Sequence, residues 1–174
     1  EGEVLMKEYF AYVCNNDGSV RWLISNKATS PTFLNLYRAT SVKSIVFVLL
    51  ARIFYRLKFE RFLFDGFQEL VFSKSSYLGR LIDDYGPNFS IFTGTVGLNR
   101  KIIVEINKGG HLLSLQKIAL SQKSQLLLKN EFNVLNEVRR INSDKFCVPR
   151  VLAWDGKMLH VSSVKPKKYN EGVK

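Results

Sequence analysis

From residue 88 onward, apolar and polar positions alternate with a period of two over three successive stretches. Phe89, Ile91 and Thr93 alternate with Ser90 and Phe92, and Ile102, Val104 and Ile106 alternate with Ile103 and Glu105. Leu113, Leu115 and Lys117 then alternate with Leu112, Ser114, Gln116 and Ile118. A period of two belongs to strands, whose successive side chains point to opposite faces. Strands are therefore predicted over 88–95 and 100–107, with a third following the Gly109-Gly110 turn. The period changes after Ser121, a good N-cap, and a helix is predicted to about residue 141. Its stripe holds Leu127, Glu131, Val134, Leu135 and Val138, and Arg139 and Arg140 complement its negative end. Two more strands, 148–154 and 158–164, close around Asp155-Gly156. The simplest product is a curled antiparallel sheet with one helix on one face.

The first half is less regular. Residues 4–25 predict a hairpin, with Asp17-Gly18 supplying the two positive-φ positions of a type I′ turn. Ser30-Pro31 predicts the cap and first turn of a short helix ending near Arg38. Thr40 or Ser41 caps a longer helix to about Lys58. It is apolar nearly all round, with Arg52 and Arg56 four residues apart, which favours a helix buried against neighbours over one lying on a membrane. Residues 59–86 mix Phe62, Phe64, Phe67 and Phe72 with basic residues and read as helical core, with Ser76 capping a last short helix to Asp83-Asp84. Tyr85-Gly86-Pro87 reads as a boundary. The expected organisation is α+β. Residues 1–87 form a hairpin and helical extension, 88–166 a five-stranded antiparallel sheet with one long helix, and 167–174 a polar tail or the start of a hinge.

Composition adds limits. With 46% hydrophobic and 13% aromatic residues, the chain has enough apolar material for a core. Its net charge of +11 suits either an anionic partner or a solubilising surface. Cys14 and Cys147 sit in apolar surroundings and read as buried thiols. His111 and His160 lack nearby Cys or His partners, so no metal site is expected. The longest apolar run, 45–51, is too short for the roughly 20 residues that span a bilayer. The first residues lack the order of a signal peptide, and the expected location is the cytoplasm.

The chemistry lies in the second half. A glutamate on an apolar helix stripe is costly to bury unless paired. Lys117 stands on the preceding strand, on the face of Leu113 and Leu115. Either both side chains reach solvent at the edges of their elements, or the helix packs on that face and Glu131 meets Lys117. In the second case the pair presents a fixed ammonium suited to phosphates. Gly94-Thr95-Val96-Gly97 adds a turn where backbone amides can approach an anion without an intervening side chain.

This set resembles the small lobe of the protein-kinase-like superfamily, closest to its aminoglycoside phosphotransferase and choline kinase branch. The likeness covers 88–166. Gly94-Thr95-Val96-Gly97 stands as the nucleotide loop, Leu115-Gln116-Lys117 as the strand-three lysine motif, and Glu131 as its ion-pair partner. Val148-Pro149-Arg150-Val151-Leu152 resembles strand four, and 159–164 resembles strand five leading into a hinge. The loop is one glycine short of Gly-x-Gly-x-x-Gly, and Leu115 stands where a small residue is usual.

The resemblance implies ATP and Mg²⁺ as cofactors, adenine held by the backbone near Ser162 and Ser163, and phosphoryl transfer to an unknown acceptor. It also implies two catalytic aspartates in a large lobe after the hinge. Nothing in the 174 residues matches them, so the expectation is a nucleotide-binding portion with no catalytic residue of its own. The alternative reading is a non-catalytic basic module binding an acidic protein, lipid headgroups or nucleic acid. Convergence of Arg38, Arg52, Arg56, Lys58 and Arg61 on one exposed face remote from Lys117 would favour it.

Overall fold

The computed structural model describes residues 3–28, 30–36, 40–94, 96–141 and 147–164. Among these residues, eight strands form one sheet: β1 (Leu5–Cys14), β2 (Val20–Ser25), β3 (Gly66–Ser73), β4 (Phe89–Phe92), β5 (Lys101–Lys108), β6 (His111–Ala119), β7 (Val151–Trp154) and β8 (Met158–Ser162). Their spatial order is β3-β1-β2-β4-β5-β6-β8-β7, and each pairing is antiparallel. Accompanying them among the described residues are the α-helices α1 (Val42–Arg56), α2 (Tyr77–Tyr85) and α3 (Gln122–Arg140), with 3-10 turns at Thr32–Leu36 and Glu60–Leu63. The fold is α+β, as the patterning predicts. The expected five strands lie side by side, but the sheet has eight, because the N-terminal hairpin and β3 extend it through β2–β4 pairing. That pairing joins residues on either side of Tyr85-Gly86-Pro87.

Register places one row of side chains across the sheet. Trp22 pairs with Phe92, Phe92 with Ile103, Ile103 with Lys117, Lys117 with Leu159, and Leu159 with Trp154. Paired residues share a face, so α1 and α3 cover the same side of the sheet. Over one half, Trp22 and Ile24 pack with Phe33, Leu34, Ala51 and Tyr55 from the first 3-10 turn and α1. Over the other half, Leu128 of α3 packs with Leu159 and Val161, flanked by Leu115, Phe132 and Leu135. The opposite face is closed by α2, where Leu81 meets Phe10, Phe89, Val104 and Ile106. The sheet thus carries helices on both faces, where the sequence suggests one helix on one face. Each fully buried large side chain of these clusters contributes about 1.5–3 kcal/mol of transfer free energy.

Helix starts are well specified by local sequence. The hydroxyls of Ser41, Ser76 and Ser121 accept from Ser44, Gly79 and Ser124 amides, satisfying donors that the first turns leave open. Other local expectations fail. The 59–86 stretch is not all helical: Leu70 and Phe72 of β3 face the α2 core, while Phe67 and Val71 are exposed. The first hairpin forms, but its loop is longer than a type I′ turn. Cys14 pairs with Val20, and Gly18 alone in that loop has positive φ. The short helix after Pro31 is a single 3-10 turn, and Arg38 lies outside the described residues. Cys14 is half-buried and Cys147 exposed, so the thiols are not the buried pair expected. On α3 the stripe is rotated: Leu127 and Val134 are exposed, and Ser124 and Leu128 are buried in their place.

Candidate functional site

Lys117 and Glu131 meet. The Lys117 ammonium donates to the Glu131 carboxylate in an ion pair that bridges β6 and α3. The packing of Leu128, Phe132 and Leu135 onto Leu159, Val161 and Leu115 sets this approach, because it lays the Glu131 turn of the helix over the Lys117 face. The two side chains keep 20% and 29% of their surface exposed, so the pair is sheltered but open to a ligand.

The glycine turn is anchored near the same end of the sheet. Gly94 is buried with φ +81°, and a Cβ there would overlap the Lys101 carbonyl. Lys101 pairs with Ala119, two residues beyond Lys117. The turn is tied back at three points. Arg100 donates its Nε to the Thr93 carbonyl at 2.9 Å and its amide to the Gly97 carbonyl at 3.1 Å, and the Ser121 hydroxyl donates to the Leu98 carbonyl at 2.7 Å. Ser121 is the N-cap of α3, so turn and helix start are joined. Val96 and Gly97 are exposed, and Gly97 has open space around its α-carbon. Thr95 lies outside the described residues.

Ser162 and Ser163 lie at the opposite end of β6. The Ser162 amide donates to the Arg150 carbonyl at 2.8 Å, and the Ser163 amide donates to the Leu113 carbonyl at 2.9 Å. The Ser162 hydroxyl accepts from the Arg150 amide at 2.9 Å. Both amides are thus engaged within the fold. Among the described residues, no group of three or more His, Cys, Asp or Glu side chains gathers as a metal site.

One charged group escaped the sequence reading. Glu105 pairs with Leu115 and Ser90, on the Lys117 side of the sheet, and is completely buried. Burial pushes its carboxyl up to about 7, and the polar groups of Asn35, Ser90 and Asn107 pull the other way without undoing it. The Ser90 hydroxyl donates to Oε2 at 3.3 Å, and the Asn35 amide donates to the Asn107 side-chain oxygen at 3.0 Å. Oε1 of Glu105, Nδ2 of Asn107 and Oγ1 of Thr32 have no partner of hydrogen-bonding geometry among the described residues. The available signal was an acid inside the run Ile102-Ile103-Val104-Glu105-Ile106. The run alone does not mark it as buried, because Asn35, in the 3-10 turn that covers it, stands 72 residues from its partner Asn107.

His160, also on β8, faces the α2 side with Gln116, and its ring nitrogen Nε2 lies 2.9 Å from the Ser114 hydroxyl. Desolvation holds its pKa below the usual histidine value. Compared with known proteins, the chain matches no family model, no curated protein and no solved structure.

Proposed function

We propose that the chain is the nucleotide-binding portion of a kinase-like phosphotransferase. The observation that carries this reading is the Lys117–Glu131 ion pair between the third strand of the predicted lobe and its helix. A lysine whose ammonium is held by a carboxylate keeps one position and offers its remaining donors to phosphate oxygens. The glycine turn supports the reading from one side, with the Val96 and Gly97 amides available to the same phosphates. Ser162 and Ser163 support it from the other. They pack beside Leu113, four residues and about 13 Å along the strand from Lys117. An elongated ligand lying along β6, adenine toward Ser163 and phosphates toward Gly97, fits that layout. Mg²⁺ would arrive with the nucleotide, and phosphoryl transfer would use acidic groups of a large lobe outside residues 88–166.

ATP titrated calorimetrically into the 174-residue chain, with and without Mg²⁺, tests the reading. Saturable binding is expected, weakened at least about tenfold in Lys117→Met. Glu131→Gln is expected to weaken it less, because the ammonium stays but loses its orientation. Melting curves provide the control: a partly exposed pair is worth about 1 kcal/mol or less, so both variants stay folded. Absence of ATP binding, or equal binding by wild type and Lys117→Met, would reject the proposal. The second reading, a module for an anionic surface, rests on a different observation, the exposed cations around α1.

A further inference from the structure

Unlike an ordinary surface helix, α1 is apolar on its outward face as well as on its inward one. Ala51 and Tyr55 face the core, with Phe47 and Val48 beside them. The opposite stripe, at spacings of four, three and four, is Val42, Val46, Leu49 and Ile53, and all four are exposed, Val42 by 78% and Leu49 by 53%. Leu57, Phe59 and Phe62 continue the apolar surface past the helix end, where Phe62 is 67% exposed and the Phe59 and Phe62 rings touch. The helix expected to be buried on all sides is therefore buried on one side only. Its outward apolar face exceeds the scattered exposure normal for a folded chain.

Charge identifies what would cover it. From Ser30 to Phe64 the sequence carries one acid, Glu60, against the cations Arg38, Lys43, Arg52, Arg56, Lys58 and Arg61. The last five are exposed, and among the described residues none is paired with an acid. Arg52 and Arg56 flank the apolar stripe on one side and border a groove of about 490 Å³ against Ser30-Pro31. Lys43 flanks it on the other side, and Arg61 lies over the Phe62 ring, 5.2 Å from its centroid. An apolar meridian with cations on both flanks and aromatic rings at one end matches the depth profile of a bilayer interface. Alternating aliphatic side chains enter the acyl boundary while the guanidinium and ammonium groups stay at headgroup phosphates.

We propose that α1 and the segment through Phe62 dock the protein flat on an anionic lipid surface. The helix is about 22 Å long, and among the described residues no helix is long and apolar enough to cross a membrane, so the mode is lying on the surface. A free peptide that lies on a membrane needs a polar face of its own. Here the folded domain replaces that face, because the inner side of α1 is already occupied by Trp22, Phe33 and Tyr55. The proposal stands independently of nucleotide binding.

Co-flotation of the 174-residue chain with vesicles of phosphatidylcholine alone, or with about 30% phosphatidylglycerol added, tests it. Binding is expected on the anionic vesicles and is expected to fall as salt is raised. Arg52→Gln with Arg56→Gln should weaken it by about fivefold for each cation removed. Leu49→Asp with Ile53→Asp should weaken it at least about tenfold. All four positions are exposed, and unchanged circular-dichroism melts establish that the variants fold. Equal binding to both vesicle types, binding indifferent to the variants, or no flotation would overturn the proposal. So would a dimer in sedimentation that Leu49→Asp with Ile53→Asp disperses, which gives the face to a second copy. Retention on single-stranded RNA that only the arginine variants abolish, without flotation, would give the cations to nucleic acid and overturn it equally.

Discussion

Replacing Glu105 with glutamine should make the protein more stable at alkaline pH and leave it little changed at acid pH. In the open chain this carboxyl ionises near its ordinary 4.5, whereas in the fold burial raises it to about 7. Between those values the folded chain keeps a proton that the open chain has lost. The stabilisation is complete below about pH 4.5 and is lost as pH rises toward 7. The gap corresponds to about 3 kcal/mol, at roughly 1.4 kcal/mol per pH unit. That is a sizeable part of the 5–15 kcal/mol that typically holds a domain folded, by the usual estimate of about that range. Glutamine keeps the shape of the neutral acid and cannot ionise, so the carboxylate is no longer forced into a site where Oε1 has no partner.

Urea unfolding followed by tryptophan fluorescence is a suitable assay, since Trp22 is buried against Phe33 and Phe92. Wild type and Glu105→Gln would be compared at pH 5, 6, 7 and 8. The difference between them is expected to grow from about 1 kcal/mol at pH 5 to about 3 kcal/mol at pH 8, the variant being the more stable. His160, whose pKa is lowered by burial, contributes the opposite slope, stability rising with pH, but it is present in both proteins and cancels in the comparison. A difference independent of pH, or a variant less stable than wild type at pH 8, would refute the reasoning.

Three further outcomes follow from the same structure. Gly94→Ala combines a positive φ with an overlap against the Lys101 carbonyl and should cost about 1–3 kcal/mol in a thermal melt; an unchanged melting temperature would show that the turn relaxes freely. Leu128→Ala should cost about 2–5 kcal/mol, because Leu128 is fully buried at the centre of the α3 cluster, and a loss under 1 kcal/mol would mean that α3 re-seats itself. Residues 88–164 expressed alone should fail to give dispersed amide resonances. They would expose the β4 edge that β2 covers and the Phe89, Val104 and Ile106 surface that Phe10 and Leu81 cover; a well-dispersed spectrum would show that the predicted lobe folds by itself.

What the sequence disclosed was governed by short-range chemistry. Serine caps at 41, 76 and 121, the turns at Gly109-Gly110 and Asp155-Gly156, and the period-two runs of β4, β5 and β6 each depend on a few neighbouring residues. Each appears in the structure close to its expected place. The meeting of Lys117 with Glu131 was legible for a similar reason: strand and helix adjoin in sequence, and only one packing of α3 had to be right. β3 was missed although Phe67, Glu69 and Val71 alternate with Gln68, Leu70 and Phe72. Its pairing partner β1 lies sixty residues earlier, and Phe62 and Phe64 just before it suggested continuous helical core. The burial of Glu105 was likewise invisible, because the sequence around β5 does not state that Thr32–Leu36 folds across it.

α1 shows the same division most clearly. An uninterrupted apolar helix specifies how much surface avoids water, yet not which half of that surface the fold covers. Trp22, Phe33 and Tyr55 decide it by closing one side. Once they do, the residues left outside have a different meaning from those inside, though their chemistry is the same. Ala51 and Tyr55 hold the helix to the sheet, whereas Leu49 and Ile53, two residues away from each, are free to enter another apolar phase. The arginines sharpen the distinction. Arg52 and Arg56 would be expensive inside a core without acids, and their spacing of four puts them on one flank of the outward stripe. Their position fixed, from the start, which side of α1 had to remain exposed, and a helix wheel read with the arginines as the boundary rather than as interruptions would have drawn the outward face correctly.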